Sequence, residues 1–195
     1  MKSMAWPPRF IFIGGTIAID FAQTGGEGGR SRFERWHTPS DMADWAELNP
    51  ALGFRPSVSK AEYDAAWRLR EALWSTIQHQ LAGEMPDPAD RNFIERTATL
   101  PDLVPAWRDG KAVWADGQTF TQVMSTVARD AIDLFGTARV ERFRKCANPT
   151  CGLTFVDNSR PGKRHWCTME RCGNLSKVAK HRAKHQHGKG DDHVH

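Results

Sequence analysis

The 195-residue sequence predicts an α+β protein, with a mainly helical body that contains one β-hairpin and with a small treble-clef-like zinc module behind it. Apolar residues recur at helical spacing through much of residues 1–138, and one Asp-Gly pair separates two short apolar runs there. All four cysteines lie close together near the C-terminal end. We therefore expect a body over residues 1–138, a zinc module over 139–187 and a flexible tail over 188–195.

The first elements are marked by turn and capping residues. Residues 9–24 are apolar and β-branched, and both a buried strand and a short helix fit this pattern. The glycine-rich residues 25–30 predict a flexible loop. Thr38 followed by Pro39 is typical of a helix start, and this helix should extend to about Leu48.

A long amphipathic helix comes next. Ser59 and Glu62 form a capping box, and the helix should end near Gly83. Its apolar face is predicted to consist of Ala66, Leu69, Leu73, Ile77 and Leu81. Asp87 and Pro88 open a further helix that should extend to about Leu100.

The spacing of apolar residues is no longer helical in residues 103–115. There Asp109-Gly110 lies between two apolar runs and predicts a β-hairpin. A last body helix should run from Phe120 to Gly136. The tryptophans of the body are expected in the core rather than around a ligand, namely Trp36, Trp45, Trp67, Trp74, Trp107 and Trp114.

Charge divides the chain in the same way. Residues 139–187 carry a net charge of +9, whereas residues 1–138 carry −4. An acidic body joined to a compact basic module is typical of nucleic-acid contact. No apolar run approaches the ~18 residues that a membrane helix needs, and the N-terminal residues do not resemble a secretory signal. We therefore expect a cytoplasmic protein with no membrane contact.

The cysteines form two pairs of C-x4-C spacing: Cys146 with Cys151, and Cys167 with Cys172. Four thiolates in close pairs favour one structural Zn²⁺, because a closed tetrahedral shell leaves no position for water. The spacing differs from that of C-x-x-C redox motifs and of common iron–sulfur sites. A module of about 40 residues buries little apolar surface, so the metal should supply much of its stability.

Within the module, residues 153–157 predict a strand, 158–164 an exposed turn and 165–167 a short return strand. A helix should follow from about Cys172 to Lys184, with Leu175, Val178 and Ala179 on its packing side. The candidate nucleic-acid contacts are Arg160, Lys163 and Arg164 in the turn, and Asn174, Lys177, Lys180, His181, Arg182 and Lys184 on the helix.

This module resembles the CGNR zinc finger. The matching positions are Cys146, Cys151, Phe155, Asp157, Ser159, Arg160, Arg164, Trp166, Cys167, Met169, Cys172, Gly173 and Asn174, and Leu175 stands in place of the final Arg. Residues 19–24 are similar to the L-D-F-x-N-T motif of the ABATE domain, with Gln23 for Asn. The resemblance implies a stress-induced transcription regulator.

The expected partners follow from these features. The module should bind DNA, and the body should bind a small-molecule effector or form a homodimer. Asp20, Gln23 and Thr24 could line a small-ligand pocket, and a helix cap or a buried hydrogen-bonded cluster is the alternative. No G-x-S-x-G, H-E-x-x-H or Walker motif is present, so no enzyme is expected. An RNA-binding or protein-interaction adaptor is the alternative function.

Overall fold

The secondary structure is described here for residues 9–178 from a computed structural model. The α-helices are α1 (Ile17–Ala22), α2 (Pro39–Leu48), α3 (Lys60–Ala82), α4 (Pro88–Ala98) and α5 (Phe120–Gly136). The strands are β1 (Pro105–Arg108), β2 (Lys111–Trp114), β3 (Phe143–Lys145) and β4 (Thr154–Val156). Short 3-10 helices cover Gly28–Phe33 and Ala138–Arg142. A π-helical turn, Met169–Gly173, continues as α-helix through residue 178, and we call residues 169–178 the finger helix.

Capping explains where the long helices begin. The Ser59 hydroxyl accepts from the Glu62 N–H at 3.2 Å, and the Glu62 carboxylate accepts from the Ser59 N–H at 2.9 Å. The same carboxylate also accepts from the N–H and hydroxyl of Thr121, at 3.0 and 2.8 Å. One side chain therefore starts α3 and ties it to the first turn of α5. Helix α3 ends at Gly83, whose φ of 73° is the left-handed conformation that glycine favours.

The core lies between α3, α4 and α5, with α1 packed across α3 and α5. Segment 17–22 is thus a helix and not a strand, and the Thr16 hydroxyl caps it by accepting from the Ile19 N–H. Phe21, Trp36 and Trp45 meet edge to face, with ring centroids 4.7 to 6.2 Å apart. Trp36 and Trp45 are fully buried, as predicted for core residues.

The β1–β2 hairpin is present as predicted, with both turn residues in the left-handed region, Asp109 at φ 50° and Gly110 at φ 75°. The hairpin projects from the body, so Trp107 is 85% exposed and its prediction as a core residue was wrong. Trp67, Trp74 and Trp114 are half-buried. Trp114 anchors the base of the hairpin, because its indole N–H donates to the Ala51 carbonyl at 3.0 Å.

The strand order of the C-terminal module differs from the prediction. Strand β4 pairs antiparallel with β3, with Phe143 opposite Val156, and residues 165–167 form no strand. Segment 165–167 instead contacts the connection of the hairpin through a backbone hydrogen bond from Ala147 N to His165 O at 2.8 Å. Leu175 and Val178, predicted to pack, are 59% and 48% exposed.

The module packs against the body through β4. The Val156 N–H donates to the Gly14 carbonyl at 2.8 Å, and the Asn158 amide donates to the Gly15 carbonyl at 2.7 Å. Val156 and Phe143 belong to the hydrophobic core of the body. Within residues 9–178, no helix combines the length and the apolar character that crossing a bilayer requires.

Candidate metal centre and its junction with the body

The β3–β4 hairpin carries the first two cysteines in its connection. Cys146 follows β3 directly, and Cys151 lies at the end of a turn closed by a hydrogen bond from Cys151 N to Asn148 O at 3.0 Å. Cys167 follows the 158–164 turn, and Cys172 lies in the π-helical turn of the finger helix. The two pairs therefore face each other from two separate elements.

The geometry of the four sulfurs fits a tetrahedral metal. All four Sγ atoms lie within 4.8 Å of one another. Cys167 Sγ lies 3.7 Å from Cys151 Sγ and 3.6 Å from Cys172 Sγ. A Zn²⁺ ion with Zn–S bonds of about 2.3 Å needs sulfurs roughly 3.8 Å apart. The cysteines are free thiols, so Cys146, Cys151, Cys167 and Cys172 would be the ligands of such an ion.

Two N–H groups point at the sulfurs and would stabilise thiolates. The Asn148 amide donates to Cys172 Sγ at 3.4 Å, and the Cys167 N–H donates to Cys146 Sγ at 3.5 Å. The Asn148 amide oxygen is fixed in turn by the Thr150 N–H and hydroxyl, at 3.1 and 2.9 Å. Such contacts orient metal ligands and increase metal affinity.

Three of the thiols, those of Cys151, Cys167 and Cys172, oppose one another's loss of protons. The hydrogen bond with Cys167 lowers the pKa of Cys151 to about 5, and the same bond raises the pKa of Cys167. Burial raises the pKa of Cys172. One thiolate in this cluster therefore opposes the formation of the next. A divalent metal removes this conflict, because its charge stabilises every thiolate at once.

Asp157 shapes the turn between the cysteine pairs. Its carboxylate accepts from the Ser159 hydroxyl at 2.6 Å, from the Ser159 N–H at 3.0 Å and from the Arg164 N–H at 2.7 Å. The Ser159 hydrogen bond in particular lowers the pKa of Asp157 to about 2. Arg142 closes the turn from the other side, since its guanidinium donates to the carbonyls of Asp157 and Ser159.

The structure separates the candidate nucleic-acid contacts into three groups. Arg160, Lys163, Asn174 and Lys177 are exposed. Arg164 is half-buried: its guanidinium stacks on the Phe155 ring at 4.8 Å and donates to the Cys167 carbonyl, so it supports the metal centre. The remaining candidates lie outside the described residues, namely Lys180, His181, Arg182 and Lys184, as does the tail over 188–195.

Asp20, Gln23 and Thr24 form contacts within the protein. Burial raises the pKa of Asp20 to about 7, although its carboxylate accepts from the Gly14 N–H at 2.7 Å. The Gln23 amide bonds to both backbone groups of Thr154 in β4. The Thr24 hydroxyl donates to the Phe21 carbonyl at 2.8 Å. Each of the three side chains thus has a partner within the protein, and a ligand pocket formed by them stays a prediction.

Sequence reasoning missed a charged cluster in the body. Arg70 is fully buried, and its guanidinium forms a two-pronged ion pair with the Glu34 carboxylate at 2.9 and 2.8 Å. A signal was present: Arg70 lies four residues after Ala66 and three before Leu73, on the apolar stripe of α3. A charged residue at such a position requires a buried partner.

Comparison with protein families agrees with the geometry and confirms both resemblances. The ABATE family, described as "Putative stress-induced transcription regulator", matches residues 15–138. The CGNR zinc finger family matches residues 142–185. A search of the curated proteins gives no significant match. Neither family description names an enzyme. The chain therefore belongs to the ABATE family and carries a CGNR zinc finger behind the ABATE domain.

Proposed function

We propose that the protein is a transcription regulator whose zinc finger contacts DNA and whose body, residues 1–138, senses a small molecule or forms a homodimer. The finger would span residues 139–187, and its four cysteines would hold one structural Zn²⁺. One observation carries the proposal: exposed Arg160 and Lys163 on the turn, and exposed Asn174 and Lys177 on the finger helix, belong to elements that the metal cluster holds together.

The distribution of charge favours an orientation in which the finger, and not the body, faces the DNA. Four thiolates and one Zn²⁺ contribute a net charge of −2, so the +9 of residues 139–187 becomes +7. The body, at −4, repels a polyanion and would keep the basic finger toward the duplex. Contacts of this kind act on phosphates first, and only side chains that reach base edges add sequence preference.

The body would bias the finger through their shared interface. Gln23, Gly14 and Gly15 all bond to residues 154–158 of the finger. A ligand or a second protomer that favours one arrangement of this interface would shift the population of DNA-competent molecules. A regulator that acts on DNA in this way fits the expected cytoplasmic location.

The test is a salt titration of binding to duplex DNA, measured by fluorescence anisotropy on the zinc-loaded protein. The logarithm of the affinity should fall linearly with the logarithm of the salt concentration. Replacing Arg160 and Lys163 together by Ala should make that slope shallower by about 2, since each lost phosphate contact removes roughly 0.9. Arg91→Ala removes a cation that is exposed on α4 and should leave the slope unchanged. Absence of binding at low salt, or affinity that does not respond to salt, would refute DNA contact.

An adaptor function is the second candidate, favoured by exposed apolar side chains on the finger helix. Met169, Leu175 and Val178 are 51%, 59% and 48% exposed. Exposed apolar side chains occur at protein-binding surfaces when they lie together. Leu175→Ser should lower the affinity for a protein partner and leave the affinity for duplex DNA unchanged. Competition among duplex DNA, structured RNA and a proteome pull-down would separate the two functions.

A further inference from the structure

The buried Arg70 has surroundings that are unusual for a residue of a helix core. Its side chain is fully buried, and its guanidinium lies 4.8 Å from the centre of the Trp36 ring and 3.8 Å from that of Trp67. Aromatic rings thus cover the planar guanidinium, whose N–H groups point outward from its edges. The edges are therefore left for polar partners.

One edge of the guanidinium holds a carboxylate from the same chain. Glu34 accepts from both terminal nitrogens of Arg70, and its carboxylate also accepts from the Gly26 N–H at 3.1 Å and from the Trp36 N–H at 2.7 Å. Two parallel guanidinium bonds plus backbone N–H groups are the donor set with which proteins bind a free carboxylate ligand. Glu34 therefore occupies a complete carboxylate site.

The segment that brings Glu34 to this site is attached through few side chains. The 3-10 helix Gly28–Phe33 buries none of its residues, and Phe33 is 51% exposed. Its side-chain anchor is Arg30, which pairs with Glu71, lies 4.4 Å from the centre of the Trp74 ring and donates to the Gly25 carbonyl at 2.6 Å. Gly25 and Gly26, at φ 144° and 135°, lead into the segment. We call residues 25–34 the lid.

The glycines at the start of the lid are required for its closed position. A Cβ on Gly25 would lie 2.6 Å from the Glu34 Cα, and a Cβ on Gly26 would lie 2.2 Å from the Arg30 guanidinium carbon. Any other residue at either position would push an ion-pairing side chain away from its partner. The closed lid is thus a specific arrangement of the two glycines, Arg30 and Glu34.

Some hydrogen-bond donors at the site have no acceptor among the described residues of the protein. Within residues 9–178, Arg70 Nε and the indole N–H groups of Trp36 and Trp67 are buried without a hydrogen-bond partner. Glu71 Oε1, itself buried without a hydrogen-bond partner in this part of the chain, forms a longer ion pair with Arg70 Nε at 3.6 Å, and the other Glu71 oxygen pairs with Arg30. Buried donors without acceptors cost free energy, so an acceptor-rich ligand gains affinity here.

We propose that this cluster is the effector site of the protein, and that its ligand is a small organic carboxylate that takes the place of Glu34 at Arg70. This inference rests on the proposed sensing function of the body. The exchange replaces one carboxylate by another, so the buried guanidinium keeps a counter-charge and Glu34 regains its hydration. The aromatic surroundings favour a ligand with a planar apolar body.

The site connects directly to the finger. Arg70 Nη1 lies 3.4 Å from the Thr24 hydroxyl, and the preceding residue, Gln23, bonds to the Thr154 backbone in β4. A shift of the guanidinium on ligand exchange acts at the C-terminal end of α1, one residue from the contact with the finger. Ligand binding and the position of β4 are therefore linked.

The experiment uses the full-length zinc-loaded protein and sodium benzoate as the probe, with benzamide as the uncharged control. Two-dimensional ¹⁵N–¹H spectra resolve the indole N–H signals of the eight tryptophans. Benzoate should shift those of Trp36 and Trp67 in a saturable manner, and benzamide should not. Trp107, exposed on the hairpin, is the internal control and should not move. Absence of a saturable shift, or equal shifts with benzamide, would overturn the proposal.

Two variants test the exchange. Glu34→Gln removes the charge of the internal competitor and should increase benzoate affinity about tenfold, because more of the protein is competent to bind. Arg30→Gln weakens the other anchor of the lid and should act in the same direction, which keeps the test decisive if Glu34→Gln fails to fold. Benzoate binding confined to the variants would reveal an engineered cavity and would refute the proposal.

The link to the finger is measured separately, as duplex affinity with and without saturating benzoate. Affinity should change at least about threefold in the unmodified protein, and much less in Gln23→Ala, where the contact with β4 is cut. A protein that binds benzoate and DNA independently would refute the effector role. If the protein binds no DNA, the spectra still decide whether the carboxylate site exists, so the two failures are distinguishable.

Discussion

The side-chain amide of Gln23 bonds to both backbone groups of Thr154, donating to the carbonyl at 3.1 Å and accepting from the N–H at 2.8 Å. An amide side chain has one donor and one acceptor edge, so it pairs with a strand residue as a neighbouring strand would. The last turn of α1 thereby extends the β3–β4 sheet by one side chain. This contact fixes the finger against the body.

Replacing Gln23 by Ala should loosen this junction. The change leaves two buried backbone groups of Thr154 without partners, so we expect the free energy of unfolding to fall by about 2 kcal/mol in urea titrations. Trypsin should also cut the finger sooner than in the unmodified protein. Gln78→Ala, at an exposed position of α3, should change stability by less than about 0.5 kcal/mol. Equal effects of both variants would argue against the junction.

Metal removal should unfold the finger and weaken the body. Chelation, or Cys172→Ser, removes the cation that stabilises the thiolates, so the finger should lose its protease resistance while far-UV circular dichroism retains most of the helix signal. The body should also melt at a lower temperature, because Phe143 and Val156 belong to its core. Lys163→Ala removes an exposed cation from the same module and should retain the metal. A finger that resists protease without metal would contradict a structural role.

Asp20 should make the body less stable as pH rises from about 4 to 7. Its folded-state pKa is raised to about 7, above the ordinary value near 3.8, so the folded protein holds a proton that the unfolded chain releases. The stability that protonated Asp20 contributes to folding is therefore complete below pH 4 and lost above pH 7. Its size is on the order of 4 kcal/mol.

The check is a pH series of urea unfolding. Asp20→Asn should remove this part of the pH dependence, and Asp64→Asn, at an exposed position of α3, should retain it. A pH profile that is identical in the protein and in Asp20→Asn would show that Asp20 titrates normally.

Replacing Arg164 should lower metal affinity, whereas replacing Arg160 should weaken DNA binding, although both residues lie in the same basic turn. Arg164→Ala uncovers Phe155 and removes a donor to the Cys167 carbonyl, so metal affinity should fall about tenfold in competition with a chromophoric chelator. Arg160→Ala should leave metal affinity unchanged and weaken DNA binding, since Arg160 is exposed. Equal metal affinity in the two variants would refute the supporting role of Arg164.

Local signals predicted the helical body well. The capping pair Ser59 and Glu62, the Pro39 start and the Asp109-Gly110 turn each act within a few residues, and each marks the element that the structure has. The cysteine cluster was equally predictable, because the types and spacing of its ligands are local properties too.

Features that depend on distant partners were not predictable in the same way. Strand β4 pairs with residues 143–145, across the connection that carries Cys146 and Cys151. Nothing in the sequence near residue 154 indicates that its partner is this segment and not residues 165–167. The roles of Gln23 and Arg70 depend on contacts 131 and 36 residues away, with Thr154 and Glu34. Hydrophobic periodicity places such residues on a helix face, but it does not identify what they contact.

The Gln23 contact has a consequence for how such proteins diversify. Because it involves only the peptide group of residue 154, it is indifferent to the side chains that the finger carries. Fingers with different exposed residues can therefore be exchanged on one body, provided that the docking strand stays extended and that Phe143, Val156 and Asn158, which also contact the body, are kept. Under the proposed function, preferences for target and for effector would then evolve separately.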